Sequence, residues 1–317
     1  MFRIAFLIAA FAMPALAQAP FWENEWPNTD FSKTSVNFVE IMSGGPPKDG
    51  IPALSSVEVI PVSDVTIPEN EPVMTVEIDG AVPRAYPIRY LTWHEIANDT
   101  LGGIPIAVTF CPLCNSAIVF DRRLDGRVLE FGVSGKLRHS DMIMFDRQTE
   151  SWWQQFTGEG IVGELNGKQL TQVVAWMESL GEFRERNPEG EVMAQPVGYN
   201  RQYGANPYAG YDKGQPFLYN GENPPHGINA LARVIRVGNR AWPLERLQEV
   251  EELEEAGVRI VWRSGMASAL GARRIADARD IGSIRVYDAA GNDVVHEVTF
   301  AFSFHAFAPD GEWMLGN

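Results

Sequence analysis

The sequence predicts a β-rich α+β fold in which two degenerate strand–turn–strand–helix–strand lobes pack as one globular unit. Three observations predict it. Short β-branched apolar runs such as 104–110 (IPIAVTF) are bounded by Gly, Pro, Asn and Asp, the pattern of strands between turns. Helical stretches are few and short, and each carries its own start signal. Finally, 74–91 (MTVEIDGAVPRAYPIRYL) is echoed by 232–247 (ARVIRVGNRAWPLERL). Both read strand, glycine turn and Ala-aromatic-Pro-aliphatic, with a helix and an apolar strand following. The echo places an internal repeat at about 71–170 and 228–310 within a single globular domain, 71–317.

Taken in order, the chain opens with Met1-Phe2-Arg3, an apolar run Ile4–Met13 and the small-x-small site Ala15-Leu16-Ala17. That is a signal peptide over 1–17, cut before Gln18. No cysteine follows the cut to carry a lipid, and no later stretch approaches the ~20 apolar residues of a membrane span. The mature protein is therefore expected to be periplasmic or secreted. Residues 18–70 read as an extended arm with one short strand near Val57–Pro61. Val73–Ile78 and Pro83–Pro87 form a hairpin about Asp79-Gly80.

Thr92, with Glu95 three residues on, reads as a capping box opening a helix that runs to about Asp99. His94 then falls in the first turn, where the helix dipole favours the neutral imidazole that ligates metal. The alternative is a half-buried histidine that only bonds backbone. Ile104–Phe110 and Ser116–Arg122 read as strands flanking Cys111-Pro112-Leu113-Cys114-Asn115, with Asn115 suited to a left-handed turn position. Strand–CxxC–strand resembles a metal knuckle more than the helix-borne pair of a thiol oxidoreductase. The chain has only two cysteines, so a metal would have to recruit His or Met.

Val128–Val133 reads as a strand broken by Ser134-Gly135. Met142–Phe145 is another, with Met142 and Met144 on one face, where core packing competes with ligation of a soft ion. The polar turn 146–151 (DRQTES) offers Asp146 and Arg147, the arginine clamping a ligand carboxylate or pairing with Asp146 or Asp121. Gly158–Gly167 lacks phosphate-loop spacing, and no organic cofactor is expected. Leu170–Trp176 reads as a strand, and Ser179 with Glu182 as a second capping box. Residues 198–219 form a Tyr- and Gly-rich loop including Tyr208, either a lid or an ordered surface, and Pro243–Ala256 reads as an acidic helix. A net charge of −15 argues against nucleic acid or anionic membranes as partners, leaving a metal or small molecule. The sequence identifies no protein partner.

With Ala85-Tyr86-Pro87, His94-Glu95, the CPLC turn, Ser134-Gly135, the 146–154 stretch (DRQTESWWQ) and Asn206-Pro207-Tyr208 in this order, the chain resembles the domain of unknown function 3179 family. The resemblance covers roughly 60–310. It implies a bacterial or archaeal protein, often exported, and supplies no reaction. By position it implies site roles for Tyr86, Pro87, His94, Cys111, Pro112, Cys114, Ser134, Gly135, Asp146, Arg147, Thr149, Ser151 and Trp153. Asn115 stands where the family often has glycine.

Three functions remain open. The first is a Cu or Zn centre of Cys111, Cys114 and His94, with Met144 or water as fourth ligand. Asp146 and Arg147 would then be accessory catalytic groups, and Ser134, Thr149, Ser151, Trp153 and Tyr208 would bind ligand. The second is a thiol–disulfide redox pair attacking through Cys111. The third is a non-enzymatic binding module in which the cysteines form a local disulfide.

Overall fold

Strands whose side chains are buried on both faces set the architecture: in Ile104–Cys111 and Phe131–Arg138 all but one residue each is buried. Such strands must be covered on either side, so small sheets stack against one another. The computed structural model describes residues 22–316, and the expected signal peptide lies outside them. Among the described residues there are four α-helices, α1 Ile88–His94, α2 Leu180–Arg186, α3 Leu244–Val250 and α4 Ala301–Phe307. None is long and apolar enough to cross a membrane.

The two-lobe expectation is overturned by the strand pairing, which builds five small sheets and one short ribbon. The likeness of the two echoing stretches is local. Pro87 and Pro243 precede α1 and α3, and Glu95 and Glu251 close them at φ 58° and 62°. Each stretch is then divided between sheets. Pro72–Val76 and Arg84–Pro87 pair with each other, but Ile96–Leu101, Ile104–Cys111 and Ser116–Asp121 form a separate three-stranded sheet. Arg233–Val237 and Arg240–Pro243 likewise part from Glu252–Glu255, Val258–Arg263 and Ser283–Asp288. The proline starts a helix that carries the chain out of the first sheet. Its vacated edges are filled by later segments, Ala175–Ser179 antiparallel and Glu191–Met193 parallel. A fifth sheet, from Ile41–Ser43 through Glu159–Val162, lies outside the matched stretches 74–91 and 232–247.

Local readings fared unevenly. Ser179 forms the capping box with Glu182. Thr92 caps nothing: α1 begins at Ile88, and the Thr92 hydroxyl bonds back to the Ile88 carbonyl at 2.8 Å. Residues 96–99, expected as the end of that helix, belong instead to the strand Ile96–Leu101. The acidic helix stops at Val250, and Glu252–Glu255 turns through Ala256-Gly257, both at positive φ, into a hairpin. Ser134-Gly135 is a bulge inside one strand, not its end. Gly135 sits at φ 73°, and a Cβ there would lie 2.0 Å from the Pro46 carbonyl oxygen, so only glycine fits. The arm from Trp22 onward is packed rather than loose. Trp26 and Phe31 meet Trp152 edge-on, closing a second, aromatic core.

Candidate functional site

The hairpin Ile104–Cys111/Ser116–Asp121 closes with Cys111 opposite Ser116. Asn115 takes the left-handed conformation at φ 51°, and its amide bonds the Pro112 carbonyl at 3.2 Å. Both cysteines therefore leave one tight turn, buried and as free thiols. The second half of the chain holds that turn. The Cys114 carbonyl accepts the Phe300 amide at 3.0 Å and the Thr299 hydroxyl at 2.9 Å, and the Asn115 amide group donates to Val298 at 2.9 Å.

The third member of the cluster is Asp141. One carboxylate oxygen and the two sulfurs all lie within 4.8 Å of one another. In a tetrahedral site with ~2.3 Å bonds to sulfur, two sulfurs sit about 3.7 Å apart, so little movement would close the set on an ion. Oδ2 of Asp141 accepts Gln154 Nε2 at 2.7 Å and the Phe156 amide at 2.9 Å, whereas Oδ1 is buried with no close hydrogen bond, the Cys111 thiol being the weak donor beside the carboxylate. Such an orphaned oxygen is costly in a protein interior unless something compensates it.

Burial dominates the electrostatics. It pushes the Asp141 carboxyl up to about 7, and that of Glu95, which also feels the Asp141 charge, up to about 8. Both thiols are raised for the same first reason, Cys114 strongly so, with the Ser303 hydroxyl of α4 pulling slightly the other way. The Tyr208 phenol is raised by burial and by the charges of Glu95 and Cys111, and Tyr211 by burial above all, with both cysteines adding. These tyrosines place the loop 203–219 against the thiols. Ser140, next to Asp141, ties that loop down through the Phe217 carbonyl at 2.5 Å.

His94 does not join the cluster. It ends α1 rather than beginning it, so the dipole there would favour imidazolium, yet burial lowers its pKa instead. Nδ1 donates to the Pro52 carbonyl at 2.7 Å, and Nε2 accepts from the Tyr203 hydroxyl at 2.6 Å. Both nitrogens are thus engaged, and the group that lies at ligand spacing from the two sulfurs is Asp141. Met144 is also displaced: three residues from Asp141 on one strand, it faces the other side, in register with Trp153 in the core.

The side chains of the polar turn are engaged in hydrogen bonds within the fold. The Asp146 carboxylate accepts the Thr149 amide at 2.7 Å, the Thr149 hydroxyl, and Trp153 Nε1 at 2.9 Å. Ser151 bonds Thr149 at 2.7 Å and receives the Leu165 amide, and Ser134 Oγ donates to the Ile143 carbonyl across the bulge. Arg147 pairs with neither expected aspartate. Its fork meets Asp49 at 2.9 Å twice and reaches Glu130 at 3.2 Å. Of the ligand-binding candidates, Tyr208 is the one whose phenol feels the charge of Cys111. Sequence reasoning missed Asp141, Glu95 and Ser303. The only local signal was a lone acid heading an apolar strand at Asp141.

No curated protein and no solved structure matches this chain. A family profile described as "Protein of unknown function (DUF3179)" matches residues 48–311, nearly the whole chain, and the protein belongs to that family.

Proposed function

We propose that this is an exported metal-binding protein whose centre is Cys111, Cys114 and Asp141, taking a zinc-like divalent ion. The observation that carries the reading is the buried, unpartnered Oδ1 of Asp141 beside two free thiols at ligand spacing. A carboxylate as third donor favours a borderline divalent ion over Cu(I), which prefers sulfur throughout. Three protein donors leave a fourth position for water or a small ligand, as in catalytic zinc sites. A redox role fits less well, because the strand-borne turn offers no helix dipole and both thiols are buried away from an oxidant.

The test is metal content. Mature protein prepared under reducing, metal-replete conditions is expected to hold one ion per chain by elemental analysis. Asp141→Asn and Cys114→Ser should each lose it while keeping the native circular dichroism spectrum. A wild-type protein free of metal, or variants that retain it, would overturn the assignment.

A further inference from the structure

A polar cavity lies against the sheet formed by Glu252–Glu255, Val258–Arg263 and Ser283–Asp288. In that sheet Arg259 is opposite Tyr287, Val261 opposite Arg285, and Arg263 opposite Ser283. Strand alternation puts all six on one face. The other face carries Ile260, Ile284 and Val286 into the core. A polar face is ordinarily left to solvent. Here it confronts Trp176 and helix α2 across a cavity of about 190 Å³. At about 30 Å³ per water that is room for roughly six waters, or one small organic acid.

The arginines around this cavity are not equivalent. Arg285 stacks 4.0 Å over the Trp176 ring and is occupied by Asp293 at 2.6 and 2.8 Å. Arg186 is occupied by Glu178 and Glu77. Arg259 stacks 4.4 Å over Tyr287, which orients its fork, yet reaches only Glu252 at 3.5 Å. Arg263 has no hydrogen-bond or ion-pair partner among the described residues. Two under-used guanidinium groups thus flank Val261 on one strand, their Cα atoms about 13 Å apart at ~3.3 Å per residue. Side chains of arginine length can converge across that span.

We propose that this cleft binds a small organic dicarboxylate, with one carboxylate on Arg259 and the other on Arg263. Guanidinium forks match carboxylates in bidentate geometry, and stacking on an aromatic ring pre-orients the fork at little entropic cost. Glu178, Glu182 and Glu252 also line the cavity and would repel a compact dianion such as phosphate. Two separated single charges suit the site better.

Isothermal titration of the mature protein with succinate, glutarate and inorganic phosphate tests this. Saturable binding of succinate or glutarate is expected, weakened roughly tenfold or more in Arg263→Gln and in Arg259→Gln. Both side chains are partly exposed, so an unchanged melting temperature would show that the variants fold. The proposal fails if neither acid binds saturably, if binding survives both substitutions, or if phosphate binds as well as the dicarboxylates.

Discussion

The Thr299 hydroxyl donates to the carbonyl of Cys114, 185 residues away in sequence, at 2.9 Å. The thiol turn is made by one part of the chain and clamped by another, so its geometry depends on the whole fold. Thr299→Val keeps the shape and removes this bond, while the Phe300 amide still serves the carbonyl. A loss of about 1 kcal/mol in denaturant unfolding is expected, with weaker metal retention on dialysis against a chelator. Unchanged retention would show that the clamp does not shape the site.

In the proposed centre the ligand role expected of His94 falls to Asp141, and substitution can separate the two residues. His94→Gln should retain the metal while lowering stability by roughly 1–3 kcal/mol, because a bond to Pro52 or Tyr203 is lost in a buried place. Asp141→Asn should do the reverse, losing the ion with little loss of metal-free stability. Elemental analysis and urea melts on the same preparations read both effects. Metal lost from His94→Gln alone would restore the histidine as a ligand.

The metal-free protein should become less stable as pH rises. Asp141 and Glu95 titrate in the folded state at about 7 and about 8, against ordinary values of 3.8 and 4.5. A raised folded-state value means that the contribution is fully present below the ordinary value and is lost as pH climbs through the folded one. The melting temperature should therefore fall between about pH 4 and 8. Asp141→Asn and Glu95→Gln should each flatten that fall, and bound metal should oppose it by favouring the ionised carboxylate. A metal-free melting temperature that is level or rising over this window would contradict the burial of uncompensated acids.

Gly135→Ala combines a left-handed φ with a collision against Pro46, whereas Gly80, at φ 78°, has nothing within 4 Å of its would-be Cβ. The left-handed conformation alone costs about 1–2 kcal/mol for a residue with a Cβ. Gly80→Ala should show about that loss, and Gly135→Ala clearly more. Equal losses in chemical denaturation would mean that the arm does not press on the bulge.

What the sequence determined by itself was local. The turn holding Cys111 and Cys114, the left-handed Asn115, the Ser179 capping box and the hairpin at Asp79-Gly80 each follow from a few neighbouring residues. Helix starts were less legible. A Thr-x-x-Glu pattern at Thr92 competes with Tyr86-Pro87, and the proline prevails because it ends pairing and begins α1 earlier. Only the tertiary structure decided which donors meet. Asp141 is brought to the cysteines by the fit of one sheet against another, while His94 is turned toward Pro52 and Tyr203. Hydrogen bonds between near neighbours leave a trace in short sequence windows. Contacts that depend on how separate sheets stack leave none, because no nearby residue has to change to make them.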